Sequence, residues 1–155
     1  STLMRSSAAS DVYKRQDMRR IVGNVGAFKL PNGEYGFGRI FKYADVAFYR
    51  HIGKNEKDLP KTEDYAFIVG VYNSSVSLMK YVEKRPYVTE SEVTSPPTYI
   101  RDCISGEYSI YYANGDIVPS TYEECKNLEV CAVWELSHVI DRLMGDDKWQ
   151  KCMAL

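Results

Sequence analysis

Few residues in this chain are of the kinds that make or break bonds, and their spacing limits the chemistry they can serve. The two histidines are His51 and His138. Cys103, Cys125, Cys131 and Cys152 are scattered, with no C-x-x-C pair and no histidine at ligand spacing, which argues against a zinc site. Cys125 with His138 could make a thiol–imidazole dyad, because that chemistry needs only adjacency in space. Nothing else in the sequence marks Cys125 as activated. Glu123, Glu124, Glu129, Glu135 and Asp141 are numerous enough to contain an acid–base pair, which would require two carboxyls facing across a cleft. Solvated helix and strand ends are the simpler interpretation. Gly33-x-x-Gly36-x-Gly38 has the look of a phosphate-binding loop, but such a loop must open a helix, and Arg39-Ile40-Phe41 continues a strand. Metalloprotease, P-loop, kinase and nucleophile-elbow motifs are missing. No cofactor and no metal are expected.

The tyrosines are the other recurring group, 13 in all. On β surfaces they can stack bases or anchor protein interfaces, although most strand tyrosines simply pack with the hydroxyl at the rim. Nucleic-acid binding also wants a basic groove, and the acidic balance of the chain opposes it.

The elements that must position these groups begin after residue 16. Ser6 to Gln16 resembles a sequencing-library adaptor translated in frame, so residues 1–16 are set aside as a non-native segment and 17–155 are expected to form one domain. Met18 is a candidate start, and Arg19-Arg20 before Ile21-Val22 is too little for a signal peptide. Apolar residues, 45% of the chain, come in short runs, none approaching a membrane span. Residues 17–155 hold 17 basic and 20 acidic side chains, unevenly placed: 17–85 carry a net +4 and 86–155 a net −7. Such fields can steer a partner of opposite sign, unless the two halves interleave in the fold. With no secretion signal, buried reduced thiols in a cytoplasmic protein are expected.

Asn32-Gly33 between two apolar runs predicts a tight hairpin turn. In the strand after it Tyr35, Phe37, Arg39 and Phe41 share one face, and Gly36, Gly38 and Ile40 the other. The glycine face invites close approach by a strand, a helix or a partner. Further strands are expected at 46–52, at 65–72 (a continuous apolar run suited to a central strand), at 98–103, at 107–113 and at 129–134. Residues 53–63 suit a charged surface loop, Val76 to Met79 a strand or a single helical turn, and Asn114-Gly115 a second hairpin turn. Ser120 with Glu123 resembles a capping box for a short helix near 121–126. Ser137 is the expected N-cap of a helix near 138–144, with Val139, Ile140, Leu143 and Met144 on one side, His138, Asp141 and Arg142 on the other, and Gly145 as its stop.

Two blocks of this sequence resemble the bacterial immunity protein 26 family of polymorphic toxin systems. The first holds Pro31, Asn32, Gly33, Tyr35, Gly36, Phe37, Gly38 and Arg39; the second runs from Tyr111-Tyr112 through Pro119, Glu123-Glu124-Cys125 and Leu128-Glu129 to Ala132-Val133-Trp134, His138 and Arg142-Leu143. Together they cover about half of the natural chain in the family's order, while 53–95 matches nothing. The resemblance implies a cytoplasmic, non-enzymatic antitoxin that binds and neutralises a cognate secreted toxin, with no nucleic-acid or membrane partner. Were that toxin a nuclease, its cleft would be basic, and an acidic inhibitor surface would speed encounter. Glu123, Glu124, Glu129, His138, Asp141 and Arg142 are the candidate contact surface on that basis, while Gly33, Tyr35, Gly36, Phe37, Gly38 and Trp134 are structural.

The expected fold is mainly β, a β-rich α+β chain: a curved antiparallel sheet or small SH3-like barrel, or failing that an open α+β sheet, with the two helices packed on it. A ligand- or peptide-binding module using the glycine face is the alternative function. A cryptic hydrolase comes third.

Overall fold

A computed structural model describes residues 18–154, so the adaptor-like stretch at 1–16 lies outside the described residues. Among those described, ten strands make two sheets, and the fold is mainly β with a few short helices. The first hairpin pairs β1 (Asn24–Lys29) with β2 (Tyr35–Ile40), Ala27 opposite Phe37 and Phe28 opposite Gly36. Its turn differs in kind from the expected one. Only Gly33 takes a positive φ, +87°, and its amide donates to Leu30 O at 3.0 Å, so Pro31 and Asn32 stay right-handed and the glycine closes a longer loop.

β3 (Asp45–Tyr49) and β4 (Tyr65–Val71) continue the meander, and β5 (Lys80–Lys84) adds to the other side of β1. The six-stranded order is β10-β4-β3-β2-β1-β5, with β10 (Val133–Trp134) parallel to β4. It has two distinct edges, β5 and β10, and is therefore an open sheet; the barrel is not formed. β4 lies next to an edge rather than at the centre, and β2 and β3 hold the middle. The smaller sheet, β8-β7-β6-β9, comprises β6 (Thr98–Arg101), β7 (Tyr108–Tyr111), β8 (Ile117–Ser120) and β9 (Glu129–Val130), with β9 parallel to β6. The run at 129–134 is thus two short strands, one in each sheet, joined by Cys131-Ala132.

The large sheet is covered on both faces. On one, Phe28, Ile40, Val46, Phe48, Phe67 and Val69 pack beneath Trp134 and Val139. This is the glycine face, and the protein fills it itself. A methyl group on Gly36 would lie 2.5 Å from the Phe28 ring and 3.3 Å from Leu143, and one on Gly38 would lie 2.9 Å from Val46. The rings of Phe28 and Phe48, edge to face at 5.8 Å, occupy the space that β-carbons would take. On the other face Val25, Ala27, Phe37 and Tyr49 are covered by the segment 53–63, and Phe41 and Ala47 by Val93 of a 3₁₀ turn, Glu90–Val93.

Four helices accompany the sheets among the described residues. Asn73–Val76 (α1) is a single helical turn that reaches only the start of the stretch Val76 to Met79, where a strand or such a turn was expected, and Leu78 and Met79 lie outside it. Tyr122–Cys125 (α2) is capped one residue later than expected: Thr121 Oγ1 accepts from Glu124 N at 3.3 Å, while the Ser120 hydroxyl donates to the Glu124 carboxylate at 2.5 Å. Leu136–Leu143 (α3) begins before Ser137, with Glu135 at the N-cap position. Its first amide, Leu136 N, is instead received by the buried Ser75 hydroxyl of α1 at 2.9 Å. Gly145, φ +93°, follows its end as expected. Lys148–Met153 (α4) was not anticipated; Asp146-Asp147 ahead of it and Trp149 with Met153 one turn apart are the signals it carries.

Candidate functional site

The six residues nominated as a contact surface sit in different surroundings. Glu129 and Arg142 face each other at the junction of β9 and α3, with Arg142 Nη1 donating to Glu129 Oε2 at 3.2 Å and Nη2 to Oε1. The guanidinium lies 3.9 Å from the Phe67 ring centroid and 5.3 Å from that of Trp134, so it is a two-pronged, stacked clamp between the sheets. His138 stacks on Trp149 at 3.8 Å, and Asp141 Oδ2 accepts from Trp149 Nε1 at 2.7 Å. The side of α3 expected to face solvent is thus covered by α4. Glu123 and Glu124 remain on the surface, Glu123 paired with Lys126 at 2.6 Å.

The chemical candidates fare similarly. Cys125 is buried, whereas Cys103, Cys131 and Cys152 are exposed free thiols, which corrects the expectation of buried ones. His138 Nδ1 is buried without a hydrogen-bond partner, and Nε2 faces Glu135 at 3.9 Å, so the imidazole does not activate Cys125. His51 lies beyond the end of β3, with Nε2 2.8 Å from Asp58 O. Among the described residues no three His, Cys, Asp or Glu side chains converge to hold a metal ion. A cleft of about 370 Å³ between β3–β4 and the turn joining α3 to α4 is lined by Arg50, Phe67, Arg142, Asp146 and Gln150, and its lining contains no cysteine, serine or histidine.

Sequence spacing missed one titratable cluster altogether. Arg39, only 4% exposed, donates from Nη1 to the Tyr65 hydroxyl at 3.1 Å, and from Nη2 to Arg85 O at 2.6 Å and Pro86 O at 3.3 Å. Glu63 accepts from the hydroxyls of Tyr49 (2.5 Å) and Tyr65 (2.7 Å) and from Arg85 Nη1 (3.0 Å), with Arg39 at 3.7 Å. Burial pushes the Glu63 carboxyl up, but the bonds from Tyr49, Tyr65 and Arg85, aided by Arg39, outweigh it and hold the group below its ordinary value. Burial first, then its bond to Glu63, keeps the Tyr49 phenol protonated far above the usual range. Each acceptor is already engaged, and the cluster ties β2, β3 and β4 to the segments at 60–63 and 85–86. It is built to hold a fold together. The signal that could have found it is the inward parity of Arg39: a cation sharing a strand face with Phe37 and Phe41 must find buried partners.

Comparison with family models, with curated proteins and with solved structures yields no match to this chain.

Proposed function

We propose that this chain is a cytoplasmic immunity protein that binds a cognate toxin of a bacterial polymorphic system and neutralises it by occupying its surface. One observation carries this reading beyond the sequence resemblance. The two oppositely charged halves of the chain meet at the large sheet, where β10, α3 and the 3₁₀ turn of the second half pack on β1 to β5 of 17–85, net +4, but the whole four-stranded sheet comes from the half with net −7 alone. Moreover, none of the strand residues of that sheet is fully buried. A sheet with open apolar side chains and acidic connections (Asp102, Glu107, Asp116, Glu123 and Glu124), mounted on a scaffold packed on both faces, suits recognition of a basic protein. The large sheet offers no opening for the alternative, a ligand module on the glycine face, because the Phe28 and Phe48 rings already fill it.

The decisive experiment is co-expression with the toxin domain encoded beside this chain. Cells carrying both should survive, and the purified pair should form a stoichiometric complex. Survival no better than with toxin alone, against every toxin encoded alongside, would refute the proposal; so would unaided turnover of a substrate by the purified chain.

A further inference from the structure

We infer that the side of the small sheet bearing α2 is the docking face, and that its occupant is a basic protein surface; this deepens the immunity reading and rests on it. Strand alternation places Tyr108, Ile110 and Tyr112 on one side, with Val118 opposite Ile110 and Ser120 opposite Tyr108. Tyr122 of α2 meets Tyr108 edge to face at 5.9 Å, which fixes α2 on that same side. There Tyr122 is 57% exposed, Val118 46% and Tyr112 38%. Exposed tyrosines of this kind are enriched at interface cores and binding hot spots, and Val118 adds apolar area between them.

The rim names the partner. Asp116 faces Tyr112 across the turn, and exposed Glu123 and Glu124 stand on α2 beside Tyr122. Arg101, opposite Tyr108, and Lys126, held by Glu123, are the cations on this side. Phosphate-rich partners would be repelled, whereas lysine or arginine side chains would find carboxylates at the rim and aromatic faces within it. Docking by strand addition is opposed at the free edge. Tyr112 N donates to Asp116 O at 2.9 Å, so ladder alternation makes Ser109–Pro119 a non-bonded pair and turns the position of the missing proline N–H outward.

The test has two arms. In the first, association with the toxin domain encoded alongside is followed at low salt for Asp116→Lys/Glu123→Lys, for Val118→Thr/Tyr122→Ala, and for Lys54→Glu/Lys57→Glu in the 53–63 loop. The charge reversal should slow association about tenfold. The apolar pair should speed dissociation about tenfold. The loop control should stay within about twofold of wild type, and circular dichroism should show all three folded. Face variants that bind like wild type would overturn the inference, as would sedimentation showing that this face pairs two copies of the chain. In the second arm a decalysine peptide is titrated into the full chain and amide shifts are mapped. Perturbations concentrated at 107–124 support the inference; shifts centred elsewhere, or none at low salt, overturn it. Because the peptide arm does not involve the toxin, a wild-type chain that ignores the toxin refutes the immunity reading while the face is still decided.

Discussion

Replacing Arg39 by methionine keeps the aliphatic stem among Phe37, Phe41 and Tyr65 and deletes the guanidinium. Two carbonyls, Arg85 O and Pro86 O, then lose their side-chain donor. A stranded acceptor costs about 1–3 kcal/mol when buried, and Pro86, an exposed residue, contributes little of that. The Tyr65 hydroxyl loses little, since it still donates to Glu63. Glu63 also loses little: Tyr49, Tyr65 and Arg85 continue to donate to it, and its side chain is 41% exposed. One contribution runs the other way, because Arg39 Nε is buried without a partner and its removal relieves that desolvation. The net expectation is a loss of about 2 kcal/mol, a large share of the roughly 5–15 kcal/mol typical of a domain. Urea unfolding followed by the fluorescence of buried Trp134 measures it. Glu63→Gln should cost less than Arg39→Met, and the coupling in the double mutant should stay below about 1 kcal/mol. An Arg39→Met change within about 0.5 kcal/mol of wild type would refute the assignment of this cluster to the fold.

Three further outcomes are expected. Gly36→Ala should destabilise by about 1–3 kcal/mol, since the new methyl meets the Phe28 ring at 2.5 Å in a filled core; Gly33→Ala, with open space but φ +87°, should cost only about 1 kcal/mol, and thermal melts of the two separate crowding from backbone strain. Tyr43 occupies φ +61° at the tip between β2 and β3 with its side chain 65% exposed, so Tyr43→Gly should raise stability by about 1 kcal/mol in the same assay. Glu63 and Asp45 should act on pH stability with opposite signs. The Glu63 carboxyl is lowered on folding, so its contribution is present above the ordinary value of 4.5 and is lost as acid titrates the folded form; Glu63→Gln should flatten that loss. Burial raises Asp45, against the Ser95 hydroxyl bond and Arg20, so its ionisation counts against the fold as pH climbs past 3.8; Asp45→Asn should gain on wild type between acid and neutral pH. Parallel shifts in both variants would contradict these assignments.

What the sequence made legible followed from local signals. The β1–β2 hairpin is announced by alternation around Asn32-Gly33, and β7–β8 by alternation around Asn114-Gly115. What it hid was long-range. β5, Lys-Tyr-Val-Glu-Lys, is an edge strand whose charges guard its open side, and those same charges make it look like a loop. The run at 129–134 is continuous in apolar pattern, yet each half pairs in parallel with a strand at least thirty residues earlier, and no turn residue marks the division. For the site, the expected polar side of α3 held as a pattern and failed as a surface. Asp141 and His138 are polar because Trp149 supplies a ring N–H and a stacking face, and Arg142 because Glu129 stands across the junction. Glu123 and Glu124, near a chain reversal with few distant neighbours, stayed in solvent as expected.

The divided run at 129–134 has a consequence for how the molecule is assembled and how it would come apart. Each sheet receives its last strand from the same short strap, so neither can be completed until Trp134 has left the ribosome, although β1 to β5 can pair well before. A one-residue slip in the strap would invert both halves together, withdrawing Trp134 from beneath α3 and Glu129 from Arg142 in a single error. Force applied at the C-terminus would strip α4 from α3 and then meet these two latches, so the same six residues that finish the architecture are where its sheets should begin to unzip.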